Sequence, residues 1–530
     1  VDEAGVSPQG GLGPIDVAVV VLYFAGTFGI AWWFGRRQHN VDDFLVGGRH
    51  MPWFAVGLSI LATLFSTLSY LAVPGEMIKH GVGFFLGYLA LPLTATVILR
   101  LWIPFFMRLR LTSAYEYLER RFSYPMRFCG ASLFVLLRLG WMSMVIFAAS
   151  LALDRVKGPD LAFLPGPDLY WWILLVGIVA AVYTSVGGIQ ALIWTDVLQC
   201  FLLLAGVLMA IFYVVWHDGT GPVDWWRTAN AYGAKHTQPE LFSWDVTVRV
   251  TVVTALLNNF FWHICTHGSD QVVLQRYFST ASLGAARRSY LINMVVDVTM
   301  ASLLATAGLA LLAFYLRNPA LLPGDSKSAV EAADKLFPHF LGTQLPAGCA
   351  GLIMAAFLCD AIQTLEAGAN AITAVVANDF VPRLRRGGRR VLGDLALARV
   401  MTVVVSLLVT ANACVAVKIM SLMNLTLVDL MPKFFNMFVG PLAASFFVGM
   451  FLPRCTTRSA LPAMLLGLVV SIFWNWWPFL VDENVKPTPL LAIALPCATT
   501  VATAFLLSFV VERRRPHAGQ AYTWREIVRR

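Results

Sequence analysis

WFAVGLSILATLFSTLSYLAVPGEMIKHG, residues 53–81, is apolar at its start and polar in its middle. Residues 53–79 are long enough to cross a bilayer, which takes about 20 predominantly apolar residues. Thr63, Ser66, Thr67 and Ser69 nevertheless fall near the centre, and Pro74 and Gly75 follow. Proline removes a backbone donor and glycine loosens the chain, so the pattern predicts an interrupted or kinked span. An interruption leaves carbonyls and helix ends free to hold ions and solutes, as in many secondary transporters. A plain packing kink is the alternative.

The rest of the chain extends this reading. Of 530 residues, 58% are hydrophobic and 13% charged, against roughly 25% charged in soluble domains. Apolar runs recur at 15–35, 53–79, 84–107, 127–154, 168–186, 190–215, 248–271, 289–316, 348–377, 395–420, 422–452, 459–479 and 488–511. The expected fold is therefore an all-α polytopic membrane protein with about 13 transmembrane helices, set in a plasma or inner membrane. Arginines cluster between alternate spans, for example Arg120, Arg121 and Arg127, then Arg276, Arg287 and Arg288, then Arg385, Arg386, Arg389 and Arg390. Positive loops stay in the cytoplasm. Residues 1–14 are thus expected outside, 15–511 as the membrane domain, and 512–530 as a cytoplasmic tail. The net charge of +9 belongs to this topology rather than to a nucleic-acid partner. The eight cysteines are scattered with no CxxC pair, which suggests neither a disulfide framework nor a zinc site. No phosphate-binding GxxxxGK[ST] is present, which argues against ATP-driven transport.

Two further apolar runs carry polar groups. In CDAIQTLEAGAN, residues 359–370, a helical wheel puts Asp360, Gln363, Thr364 and Ala367 on one face, with Glu366 and Asn370 adjoining. A charge at the bilayer centre costs about 2.5–3.5 kcal/mol on insertion scales. Carboxylates there bind a cation, take up a proton, or form structural pairs. In VTALLNNFFWHICTHGSDQ, residues 253–271, His263 and His267 are four apart and share a face. They could line a polar cavity, relay protons or hold a metal.

Four ordered stretches resemble the sodium:solute symporter family. They are VDDFLVGGRHMPWFAVGLSILATLFSTLSYLAVPGE (41–76), YTSVGGIQALIWTDVLQ (183–199), GSDQVVLQRYFSTASLGAARRS (268–289) and GPLAASFFVGMFLPRCTTRSALPAMLLGLV (440–469). LTSAYEYLERRF (111–122) leans toward the monocarboxylate, iodide and vitamin branch. The resemblance implies a leucine-transporter-like core of two inverted five-helix repeats, about 53–215 and 248–452. One extra helix precedes the core and two follow it. The first and sixth core helices would be broken at mid-membrane. It implies sodium-coupled symport of a small polar organic solute by alternating access, with no enzymatic activity and no cofactor beyond the coupling ion.

The same resemblance assigns residues. The principal sodium site would use the carbonyls of Ala62 and Phe65 with helix-8 positions that fall on Asp360, Gln363 and Thr364. Thr364 keeps the family's hydroxyl; Gln363 stands where a serine-like residue is usual, and Asp360 where a small one is. Asp196 and Glu366 would form a second cation site or share a proton. Ser69, Tyr70, His263, His267 and Asp429 fall at solute-facing positions, and Lys433 lies one turn from Asp429. The departures leave open a proton-coupled or sodium-independent transporter. A solute-binding membrane sensor is the alternative of another class.

Overall fold

The structure, a computed structural model, describes residues 13–37, 41–109, 111–155, 168–233, 236–324, 326–346, 348–380, 394–423, 427–512 and 518–529. These residues form helices and no strand, apart from an isolated bridge between Met51 and Thr280. The principal elements are α1 (Pro14–Gly35), α2 (Trp53–Leu64), α3 (Thr67–His80), α4 (Phe85–Leu109), α5 (Tyr124–Arg155), α6 (Asp168–Asp218) and α7 (Val252–Ser269). They continue with α8 (Gln271–Phe278), α9 (Leu283–Arg317), α10 (Cys349–Val375), α11 (Asp394–Met423), α12 (Leu427–Phe451), α13 (Thr457–Leu480) and α14 (Ala494–Val510).

Among the described residues, nine helices are long and apolar enough to cross a membrane, and three shorter apolar helices accompany them. Their outward faces carry bare apolar side chains. Leu22 is 73% exposed, Phe212 67% and Leu506 63%. Water would penalise so much exposed apolar surface, whereas lipid tails accept it.

Three intervals depart from straight rods. Residues 168–215 form one element bent at Gly188, whose φ of 62° and ψ of 179° suit only glycine without strain. Residues 53–79 are two helices. The chain leaves α2 at Phe65 (φ −101°, ψ 82°) and passes through Ser66 (φ −77°, ψ 164°) before α3 begins. The interruption therefore falls on the polar patch, while Pro74 and Gly75 lie inside α3. Residues 248–271 begin their helix at Val252 and stop at Asp270 (φ −82°, ψ 117°), where α8 takes over.

α10 is the central element. It is almost wholly buried, in contrast to the nearly bare α1, and it packs against α6, α1, α5 and α11. Asp16 on α1 fastens its start. One Asp16 oxygen accepts from Gly348 N (2.8 Å) and Gly351 N (2.7 Å), satisfying donors that a helix start leaves open. α2 lies flat on α9 because Gly57 has no side chain. A Cβ there would stand 2.5 Å from the Ser289 carbonyl oxygen.

A short helix, Ala333–Thr343, lies between α9 and α10. It buries Leu336, Phe337 and Phe340 in the protein, with the Phe337 ring 5.3 Å from that of Tyr70. Two arginines from the clusters used to orient the chain are also internal. Arg121 is 1% exposed and donates to the carbonyls of Gly449 (2.7 Å) and Leu452 (2.8 Å). Arg276 is equally buried.

Candidate functional site at two interrupted helices

Both interruptions come from local chemistry. At the end of α2 the last carbonyls, from Ala62 onward, run out of helical donors. Phe65 N makes the final bond, to Leu61 O at 2.8 Å. At the second interruption Asp270 caps α8, accepting from Val272 N at 3.0 Å. Arg138 on α5 pairs with the same carboxylate through Nη2, and its Nε lies 3.3 Å from Oδ1. The 111–115 loop holds the break from the other side. Tyr115 donates its hydroxyl to Ser269 O (2.9 Å), and Gln271 bonds the backbone of Ala114 and Thr112.

A cavity of about 230 Å³ lies at the first interruption, against α7 and α9. The α2–α3 junction contributes Phe65 and α3 contributes Ser69 and Glu76; α7 contributes Asn258, Asn259, Trp262 and His263; α9 contributes Asn293 and Asp297. Tyr88 covers one side. His263 Nε2 lies 3.5 Å from Asp297 Oδ2. Glu76 pairs with Arg249 at the rim. A much smaller space lies beyond Leu64 and Trp262, beside Arg138 and Asp270.

Of the solute-facing candidates, Ser69 and His263 line the cavity. Tyr70 points elsewhere, donating to Leu203 O at 3.0 Å and packing on Phe337 and Phe357. His267 sits behind His263, with Nδ1 2.6 Å from the Tyr277 hydroxyl and its ring against Tyr290. Asp429 lies on α12, and its side chain is outside the described residues. Lys433 on the same helix donates to Asn475 O at 2.7 Å.

The cation candidates occupy a second, drier region where α10 meets α2, α6 and α8. Asp360, Gln363, Thr364 and Glu366 are all at most 4% exposed. Gln199 on α6 donates to Asp360 Oδ1 at 2.7 Å. Gln363 Oε1 and both Glu366 oxygens have no hydrogen-bond partner among the described residues. Asp196 is occupied: Arg276 Nη2 lies 3.0 Å from its Oδ2, and the Ser59 hydroxyl donates to the same oxygen. Arg276 also donates from Nε to Ser59 Oγ (2.7 Å) and from Nη1 to Val272 O (3.0 Å). The unpartnered oxygens of Gln363 and Glu366 are hard donors of the kind an alkali cation accepts, and Thr364 flanks Gln363 on the side away from Glu366.

Sequence reasoning overlooked several of these residues. Asn293 and Asp297 are four apart inside the apolar run 289–316, a signal as legible as that of His263 and His267. Arg138 likewise lies within 127–154. The Arg276–Asp196 pair had no local signal, because its members are far apart in the chain.

The fold is that of a helical membrane protein with two interrupted helices and a cavity beside them. Comparison with known proteins makes the class specific. The model of the sodium:solute symporter family matches residues 44–467. The sodium/iodide cotransporter of Homo sapiens is 31% identical, over 89% of this chain and 71% of its own. The sodium/sialic acid symporter of Aliivibrio fischeri is 28% identical, over 88% of both chains. A solved Na+-coupled sialic acid symporter, in a substrate-bound outward-open state, superposes with a TM-score of 0.80 at 24% identity, covering 95% of this chain and all of that one. The chain belongs to the sodium:solute symporter family, whose members are transporters and not enzymes.

Proposed function

We propose that the protein is a secondary active symporter that carries a small polar solute across a cell membrane, with sodium as the coupling ion. The carrying observation is the cavity lined from both sides of the α2/α3 interruption and by polar groups of α7 and α9. Alternating access would rock the repeats 53–215 and 248–452 around it, within a 13-span domain over 15–511. The N-terminal residues 1–14 would lie outside and the tail 512–530 in the cytoplasm. Glu76 and the Phe84–Tyr88 side of the cavity would then face outward.

Sodium would sit between α2 and α10. Its ligands would be the carbonyls of Ala62 and Phe65, the Gln363 amide oxygen and the Thr364 hydroxyl, with Asp360 beside them. The unpartnered Gln363 Oε1 supports this assignment. Ser69 and His263 would touch the solute directly. Tyr70 and His267 would act by holding the walls, and Asp429 would approach from α12.

One observation favours a second reading, proton coupling. Glu366 is fully buried, neither oxygen has a partner among the described residues, and Asp196 already holds a cation of its own in Arg276. A buried carboxylate in that position needs a compensating cation or a proton.

The test is thermal stability of the purified protein in sodium, lithium and potassium at constant ionic strength and two pH values. A ligand that prefers the folded state raises stability by mass action. Selective stabilisation by sodium is expected. No sodium effect together with a strong pH effect selects the proton reading.

A further inference from the structure

The cavity carries an uneven set of charges. The acidic side chains in its wall are Glu76 and Asp297, and no Lys or Arg lines it. The nearest arginines are already committed, Arg249 to Glu76 at the rim and Arg138 to Asp270 beyond Trp262. Asp297 is the less satisfied of the two acids. Its neighbour His263 is 3.5 Å away, longer than the roughly 2.7–2.9 Å of a charge-assisted bond. One turn earlier on α9, Asn293 is 2% exposed, and its Oδ1 has no hydrogen-bond partner among the described residues. Asn259 Oδ1, across the cavity on α7, likewise has no hydrogen-bond partner among the described residues. Trp262 and Tyr88 supply aromatic surface beside these acceptors.

We infer that the solute is a small organic cation, an ammonium or guanidinium compound whose charged head is received by Asp297 and the Asn293 and Asn259 oxygens. The inference rests on the symporter reading above and names the solute of that site. A cationic head supplies the donors that these oxygens lack. Aromatic faces attract it as well, through the ring quadrupole. The cavity, about 230 Å³, is below the roughly 300–1,000 Å³ of drug-sized sites, so the solute is of small-metabolite size. An anion would meet the Asp297 carboxyl and find no lysine or arginine in the wall. This separates the chain from its relatives named for sialic acid and iodide, which are anions.

The experiment measures thermal stabilisation of the full-length protein by three sets of probes at constant ionic strength. The cations are choline, ethanolammonium, guanidinium and agmatine. The anions are lactate, pyruvate and N-acetylneuraminate. The neutral compounds are glucose and glycerol. Saturable stabilisation by at least one cation is expected, with its apparent Kd weakened at least tenfold in Asp297→Asn. Asp297→Glu retains the charge and should keep the selectivity for cations even if its affinity falls, which guards against a general folding defect in Asp297→Asn. Stabilisation confined to anions or neutral compounds, stabilisation by none of the probes, or an unaltered cation Kd in Asp297→Asn overturns the inference. Sodium-driven uptake of lactate would overturn the solute class and leave symport standing. Saturable cation binding with no sodium-driven or proton-driven uptake would do the reverse.

Discussion

Arg276 and Asp196 form a buried ion pair, Nη2 to Oδ2 at 3.0 Å, with both side chains at most 2% exposed. The pair joins α8, just past the second interruption, to the second limb of α6. Ser59 on α2 bonds both partners, so three elements around the cation region meet at one guanidinium. Removing one partner of a buried pair strands the other charge, at about 3–5 kcal/mol. Arg276→Met and Asp196→Asn should each lower stability by roughly that amount. Their combination should cost well under the sum, as contacting residues do. Additive losses in a double-mutant cycle on reconstituted protein would mean the pair is not energetically coupled.

Thr364→Ala removes the one side-chain hydroxyl proposed to hold sodium. The half-saturating sodium concentration should rise about tenfold, the equivalent of about 1.4 kcal/mol. Uptake against a sodium titration checks this, and an unchanged titration removes Thr364 from the site.

Glu366→Gln keeps the shape of the side chain and deletes the charge. If Glu366 exchanges protons during transport, the pH dependence of uptake should flatten while the protein stays folded. If Glu366 instead holds a cation, the pH profile should persist and sodium affinity should fall. Initial rates across pH at saturating sodium separate the two.

Gly57→Val would force α2 off α9, since even a Cβ would stand 2.0 Å from Ile292 Cγ2 and 2.5 Å from the Ser289 carbonyl oxygen. Overpacking of this kind costs about 1–3 kcal/mol. Melting temperature should fall, and transport should fall further because α2 carries the proposed sodium carbonyls. A stable, active variant would show that α2 can separate from α9 without consequence.

Much of this architecture is legible locally. An apolar run long enough to span reads the same wherever it folds, so the helical membrane class follows from windows of about 20 residues. Polar groups inside such runs also announce themselves, as Ser66, His263 and Asp360 do. The position of the first break was less legible. Pro74 seemed the natural breaker, but α3 absorbs it beside the small Gly308, whose missing side chain leaves room for the Pro74 carbonyl. The chain parts at Phe65 and Ser66 instead, where no proline or glycine stands.

The sequence by itself determined a helical membrane protein, the family's ordered motifs and the polar faces of α7 and α10. Those properties depend on residue spacing along a single helix. Only the tertiary structure decided that Ser69 and His263 share a cavity with Asp297 while Tyr70 and His267 turn away from it. Only it showed that Arg276, read as a loop charge, is buried against Asp196. Charge pairing and cavity walls are made by residues distant in the chain, and their geometry is fixed by helix packing rather than by any local pattern.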